Sequence, residues 1–435
     1  MVKLQVCASL LALTCGQILC WRRRDNVAGY LAGGLFFASV IVPLFGTSVL
    51  DGDDPALVAR YANILTVGAI FFLLGLALGA HPGNHGRLPS VSFDQRLRLV
   101  VPTWLVRRSR LAGAAGVLSL VAAFKLLGYV PLLASDRQSA KYGVAAYRAG
   151  FERGSVVYHL AIALAGAALP IMLVVAYRYR RRVDIAVCAL LGLGLAATLS
   201  RADALTGPLV FLVALAVERG LKPGRILAGV CLAFVAGTVA NEIAEISPTR
   251  SSPSIAQRVA VTTPDISDQL AFLRGFRQRG EEYVGARTIG AALSVGRDKG
   301  DYDASLYALR NITGFNNVDG LASGGARLPA PVWGYAAYGF SGAAAWSFVA
   351  GVFIGWGTTM VRRLVSQAVG APGQSLNLVL ADLFFTGTFG LLASFYFPQR
   401  ASIVILGLAL FLGLAPRLSG QRRDEIRLSA SVRTS

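Results

Sequence analysis

Basic clusters cut this sequence into long apolar blocks, and that punctuation limits the fold more than any other feature. The runs "RRRD" (22–25), "RYRRR" (178–182) and "VRRL" (361–364) each close an apolar stretch of about 20 residues. A helix of that length crosses about 30 Å of hydrocarbon. The blocks are continuous rather than alternating, which excludes a transmembrane β-barrel. Of 435 residues, 54% are hydrophobic and 15% charged, against about 25% charged in soluble domains. The expected fold class is therefore an all-α polytopic membrane protein.

Eleven spans are predicted: roughly 4–21, 27–50, 61–80, 111–133, 156–177, 183–200, 204–218, 225–246, 333–358, 376–397 and 401–416. The chain divides into helices one to eight (1–246), a large loop (247–332), helices nine to eleven (333–416) and a basic tail (417–435). Residues 4–21 lack a signal-peptide cleavage site and read as a retained span. Short segments on one side carry 23 Lys and Arg, and those on the other carry 8. The positive-inside rule makes the richer side cytoplasmic, with the N-terminus outside and the C-terminus inside. An even count with the N-terminus inside would follow if one helix were missed or split.

The net charge of +19 has the same origin. Basic residues flank spans, so the charge reports topology and not nucleic acid. The five cysteines all lie in apolar runs, which argues against a disulfide framework, and the three histidines do not cluster.

Two outward stretches escape the helical pattern, 134–155 and 247–332. The second is too long for a connector. Within it, "SDQLAFLRGFRQRGEEYV" spaces its apolar residues as one amphipathic helix, expected to lie on the membrane.

Candidate binding residues are the outward arginines. Arg201 sits in "TLSRADALTG", a tight hairpin between two apolar runs, where it either snorkels and pairs with Asp203 or binds an anion. Arg137 follows "GYVPLLASD", Arg274, Arg277 and Arg279 repeat through "FLRGFRQRG", and Arg310 and Arg327 lie further along the loop. A guanidinium offers a planar fork of donors suited to phosphate oxygens. The turn at Gly324 and Gly325 could present backbone amides to the same kind of ligand. Taken singly, most of these residues fit a solvated mixed surface equally well. Inside the bilayer, Lys125 and Asp382 are expected to play a structural part, in contact with each other or with the lysine snorkelling outward. "DGD" at 51–53 reads as a turn at a span end, and Asp301-Tyr302-Asp303 is the one metal-like pattern.

Three stretches together resemble the bacterial polysaccharide polymerases of the Wzy type, within the O-antigen polymerase and ligase superfamily. They are "GYVPLLASDRQSAKY", "TLSRADALTGPL" and "GGARLPAPVWGYAAYGFSGAAAWSFVAG". The resemblance implies a GT-C-like, metal-independent membrane glycosyltransferase without a cofactor. Its donor and acceptor would be glycans on polyprenyl diphosphate, joined at the outer face of the cytoplasmic membrane. Flippase and chain-length regulator proteins would be its partners, alongside membrane lipid. Carried onto this chain, the diphosphate-binding arginines are Arg201 and Arg137, with Arg279 ten residues before Gly290 and Arg274 ten before Gly285. Superfamily ligases use a histidine in the large loop, and 247–332 holds none. The general base is left to Glu281, Glu282 or Asp319. Breaking a sugar–diphosphate bond creates an oxyanion, which preorganised cationic donors stabilise. The alternative is a transporter or flippase of a lipid-linked or anionic glycan, although no paired halves are visible in the sequence. A non-enzymatic membrane scaffold is a third reading.

Overall fold

The computed structural model describes residues 1–22, 24–46, 49–51, 53–81, 103–243, 265–281, 283–285, 304–314, 328–366, 374–393 and 400–413. Among these residues the regular structure is entirely helical. The helices are α1 (Val2–Cys15), α2 (Val27–Phe36), α3 (Val42–Gly46), α4 (Pro55–Gly79), α5 (Thr103–Leu127), α6 (Arg137–Tyr142) and α7 (Arg148–Tyr179). They continue as α8 (Arg182–Ala197), α9 (Arg201–Glu218), α10 (Pro223–Ile243), α11 (Asp265–Gln278) and α12 (Ala304–Thr313). The last are α13 (Ala330–Ser366), α14 (Gln374–Ala393) and α15 (Arg400–Gly413). A π-turn at Phe37–Ile41 joins α2 to α3.

Each of the eleven predicted stretches is helical. Among the described residues six helical segments are long and apolar enough to cross a membrane, and three shorter apolar helices accompany them. Their outward faces suit lipid, with Leu74, Leu118, Leu193 and Leu232 all more than half exposed.

Local chemistry sets the helix ends. Asp54 accepts the Ala56 N–H at 3.0 Å, and Pro55 occupies the first turn of α4. Asp136 caps α6 through the Ser139 N–H at 3.0 Å, and Gly143 closes it at φ 64°.

Two cores form. One gathers α5, α7, α8, α9, α14 and α15 around Met172, Leu191 and Leu195. The other gathers α1, α4, α11 and α13 around Tyr61, Leu65, Phe272 and Trp333. The tightest seam joins α4 to α13. A Cβ on Gly75 would stand 2.1 Å from the Phe348 carbonyl oxygen, and one on Gly79 2.0 Å from that of Val352. Reciprocally, a Cβ on Gly351 would meet the Phe72 oxygen at 2.1 Å, and one on Gly355 the Leu76 oxygen at 2.4 Å. Two glycine pairs spaced by four thus let parallel backbones touch, the close approach that small residues permit between apolar helices.

Ion pairs fall at two opposite ends of the bundle. One end, where the described part of the large loop packs, is called the loop end. At the arginine-rich end, Arg110 grips Asp184 with two hydrogen bonds of 2.7 and 2.8 Å. Arg178 there binds Glu218 at 2.7 Å, and Glu218 also accepts the Ser375 N–H at 2.9 Å. These contacts tie α5 to α8, and α7 to α9 and α14.

Two expectations need correction. The span predicted at 333–358 is not one straight helix. Tyr338 (φ −147°, ψ 27°) and Gly339 (φ 66°, ψ −150°) break α13. Residues eight apart in a helix lie about 12 Å apart along its axis. Yet a Cβ on Gly334 would come within 2.3 Å of the Gly342 oxygen, and one on Gly342 within 2.1 Å of the Gly334 oxygen. The chain therefore doubles back, and a first leg, 330–337, packs against the start of a second, 340–366. Pro331 reaches Gly68, since a Cβ there would stand 2.3 Å from the proline Cβ. Gly68 lies thirteen residues into α4, about 20 Å from its loop end. The first leg thus sits at membrane depth but inside the protein, with Val332, Trp333, Tyr335, Ala336 and Ala337 all buried. Irregular backbone is tolerated at that depth only when protein surrounds it.

The second correction concerns α11. It is helical as its periodicity predicts, but its apolar face does not lie on lipid. Ile266, Leu270, Phe272, Leu273 and Phe276 are buried in the second core against α4, α12 and α13. Protein offers Phe272 and Phe276 close-packed rings, Tyr307 and Tyr335 among them.

Candidate functional site

The loop end carries two groups of basic residues. The first stands on the docked loop. Gly275 lets α11 and α12 cross in backbone contact, since a Cβ there would fall 1.8 Å from the Asn311 oxygen. This pair of helices is clamped to the start of α4. Arg274 pairs with Asp53, Arg277 with Asp54 at 3.1 Å, and Arg60 with Glu281. Lys3 binds Asp51 at 2.8 Å. The acidic "DGDD" turn is thus a docking strip for cations, besides the turn its sequence suggests. Arg274, nominated for substrate, is engaged by a carboxylate. Arg279 differs. Its side chain is exposed and donates to the Arg310 carbonyl at 3.0 Å, which sets the two arginines side by side.

The second group lies where α5 gives way to α6. Pro131–Leu133 forms a 3-10 turn that packs on α8. Arg137 opens α6 and donates from Nε to the Leu132 carbonyl at 3.2 Å. The Tyr129 hydroxyl donates to the Ala140 carbonyl at 3.1 Å, and its ring meets Tyr147 edge-on at 4.7 Å. Tyr158 on α7 donates to the Thr198 carbonyl at 2.9 Å, which fixes the α8–α9 turn. Leu199 takes a left-handed φ of 60° in that turn. Arg201 then opens α9 behind Ser200. The arginine is therefore the first residue of α9, directly after the tight α8–α9 hairpin turn that the sequence predicts. Its side chain, and that of Asp203, lie outside the described residues. So do Glu282, Asp319, Gly324, Gly325, Arg327 and the Asp301–Asp303 pattern. Within the described residues Arg137 follows a turn that packs on α8, the helix before Arg201, while Arg274, Arg279 and Arg310 belong to the other group.

Lys125 is exposed on α5, and Asp382 is buried on α14. No ion pair joins them among the described residues, so the expected contact is replaced by a lysine at the surface near the loop end of its helix.

Sequence reasoning missed the reversal in α13 and the group around it. The break frees the Ala336 and Ala337 carbonyls, which a continuous helix would bond to residues 340 and 341. Val284 and Gly285 of the loop fill them, each N–H donating at 3.0 Å. Left-handed backbone at Gly280 (φ 81°), Glu281 (φ 55°) and Gly285 (φ 60°) steers the segment onto the break. Tyr283 and Tyr335 share a side-chain hydrogen bond beside the Arg60–Glu281 pair. An ionisable residue close inside the start of an apolar span was the available signal for Arg60. Below the first leg, a cleft of about 310 Å³ opens between α1, α4, α13 and α14, lined by Leu10, Thr14, Gln17, Phe72, Pro331 and Phe385 among others.

Scans against protein-family models, curated proteins and solved structures find no match to this chain. What the site defines at this point is a class: a helical membrane protein with an ordered, basic cap at one end of its bundle.

Proposed function

We propose that the chain is a GT-C-like membrane glycosyltransferase of eleven crossings. In this reading it polymerises polyprenyl-diphosphate-linked oligosaccharide repeat units at the outer face of the cytoplasmic membrane, with its loop end outside. The observation that carries the reading is that the Pro131–Leu133 turn, which leads into Arg137, packs on α8, the helix that leads into Arg201. The docked loop at the same end of the bundle bears Arg279 and Arg310. Fixed guanidinium groups in a water-poor site stabilise the diphosphate leaving group without reorganising. Arg201 and Arg137 would hold the diphosphate. Arg279 and Arg310 would meet the glycan or a second diphosphate, with Arg327 and the Gly324–Gly325 turn beside them. The attacking hydroxyl would lose its proton to a loop carboxylate, Glu282 or Asp319. No step calls for a metal.

The test is a strain lacking this protein, its surface polysaccharide resolved by length. The expected result is collapse of long chains to single repeat units, restored by the intact gene. Unchanged chain length contradicts the proposal.

One observation favours the second reading, a transporter or flippase of a lipid-linked or anionic glycan. A helical leg that reaches membrane depth and reverses at the loop end, next to a cleft, is akin to the broken helices of transporters. The cleft is lined mainly by apolar side chains and by no charged one, which suits a lipid chain better than an anion. Accumulation of lipid-linked repeat units on the cytoplasmic leaflet in the deletion strain would select the flippase.

A further inference from the structure

Three aromatic side chains at the reversal of α13 stand unusually open for residues so well supported. Tyr283 is 45% exposed, Tyr338 48% and Phe340 44%. Beneath them the packing is rigid. Tyr335 is buried and meets Phe340 edge-on at 5.2 Å and Tyr283 at 6.2 Å between ring centroids. Phe276, also buried, meets Tyr283 at 5.7 Å. The two glycines seat the outer rings. A Cβ on Gly285 would lie 3.8 Å from the Tyr338 ring and hydroxyl, and one on Gly339 3.5 Å from the Tyr283 hydroxyl. Beside this shelf stands the Arg60–Glu281 pair, partly exposed on both sides.

We propose that this shelf is a binding site for a pyranose ring, with Tyr338 and Phe340 stacking on its C–H face and Glu281 and Arg60 bonding its hydroxyl edge. The inference rests on the glycosyltransferase reading and names where the sugar next to the reacting end would sit. A sugar presents an apolar face and a polar rim, and the shelf offers the complement of both. Aromatic rings supply apolar area at low entropy cost and keep a polar tip wet. Carboxylate and guanidinium groups make the stronger, charge-assisted hydrogen bonds to hydroxyls. A plain interfacial girdle of tyrosines would face lipid from the spans. Here one ring comes from the loop, and an ion pair stands among the rings, which a lipid-facing belt does not require.

The experiment is saturation-transfer NMR on the intact protein in lipid nanodiscs, irradiating the aromatic protons. The probes are methyl glycosides of glucose, galactose, mannose, rhamnose and N-acetylglucosamine. At least one should receive saturation through its ring C–H protons. Tyr338→Ala combined with Phe340→Ala should weaken that binding about fivefold to tenfold. Tyr338→Phe should keep it, which guards against a folding artefact, and Glu281→Gln should weaken it while the stacking signal persists. No transfer to any probe, or transfer unchanged in the double alanine variant, overturns the proposal. Transfer to phospholipid headgroups alone assigns the rings to an interfacial girdle and overturns it too. Sugar binding in a protein whose deletion leaves polysaccharide length unchanged upholds the shelf and removes the polymerase reading. Normal polymerisation by the double variant, with binding unchanged, does the reverse.

Discussion

The two ends of the bundle use the same ion-pair chemistry under different conditions. At the arginine-rich end Arg110 meets Asp184 bidentately, and the Asp184 side chain is 1% exposed. Arg178, Glu218 and the Ser375 amide join three helices at once. These pairs connect span to span. At the loop end three pairs connect the start of α4 to the loop, across more than 200 positions of sequence. Both partners of Arg277–Asp54 are about half exposed. Exposed pairs are worth about 0–1 kcal/mol and are screened by salt, while buried, well-bonded ones resist both water and salt. One end is therefore a fixed frame, and the other is a cap held by many small forces.

The frame should break hardest at the glycine seam. Gly351→Leu drives a side chain into the Phe72 backbone, where nothing flexible can give way. Ordinary overpacking costs about 1–3 kcal/mol, and this site should exceed that. The expected result is loss of the folded, monodisperse protein in detergent gel filtration. A well-behaved Leu variant would mean that the α4–α13 seam is looser than its geometry indicates.

Arg110→Ala comes next. It strands the buried Asp184 carboxylate, at a cost of about 2 kcal/mol once the part-exposed arginine is discounted. The midpoint of thermal unfolding should fall by several degrees. The paired change Arg110→Met with Asp184→Leu should recover much of it, because removing both charges avoids an unpaired one.

Much of the frame was readable in the sequence, and its cap much less so. Apolar runs between basic clusters mark the six long apolar helices among the described residues, since span length and flanking charge follow directly from the bilayer. The reversal at Tyr338–Gly339 leaves no such mark. Its two legs, "PVWGYAAY" and "GFSGAAAW", are equally apolar, and hydropathy records burial without direction. Only small residues at 334 and 342, and a glycine able to adopt φ 66°, point to it. In the same way the periodicity of α11 reveals an apolar face without saying what covers it. The partners of its arginines, Asp53 and Asp54, lie in another part of the chain, and local pattern cannot pair them.

A smaller effect tests the cap alone. Arg277→Ala should cost less than about 1 kcal/mol and leave the unfolding midpoint nearly unchanged. With Arg277 intact, a cysteine at the exposed Gln278 should react faster with an impermeant thiol reagent at high salt than at low salt, and Arg277→Ala should raise the low-salt rate toward the high-salt one. Equal rates at low and high salt would show that the apolar face of α11, and not its ion pairs, sets the docking.

The central claim is that Arg137 and Arg201 hold a diphosphate, whereas the clamp arginines hold the loop. The direct measurement is surface polysaccharide length in cells carrying Arg201→Ala, Arg201→Lys or Arg277→Ala at matched membrane abundance. Arg201→Ala should leave single repeat units. Arg201→Lys keeps the charge without the fork and should lose about 10²–10³ in rate. Arg277→Ala should make chains of nearly normal length. Full-length polymer from Arg201→Ala would contradict the account and leave Arg201 as an interfacial anchor at the start of α9.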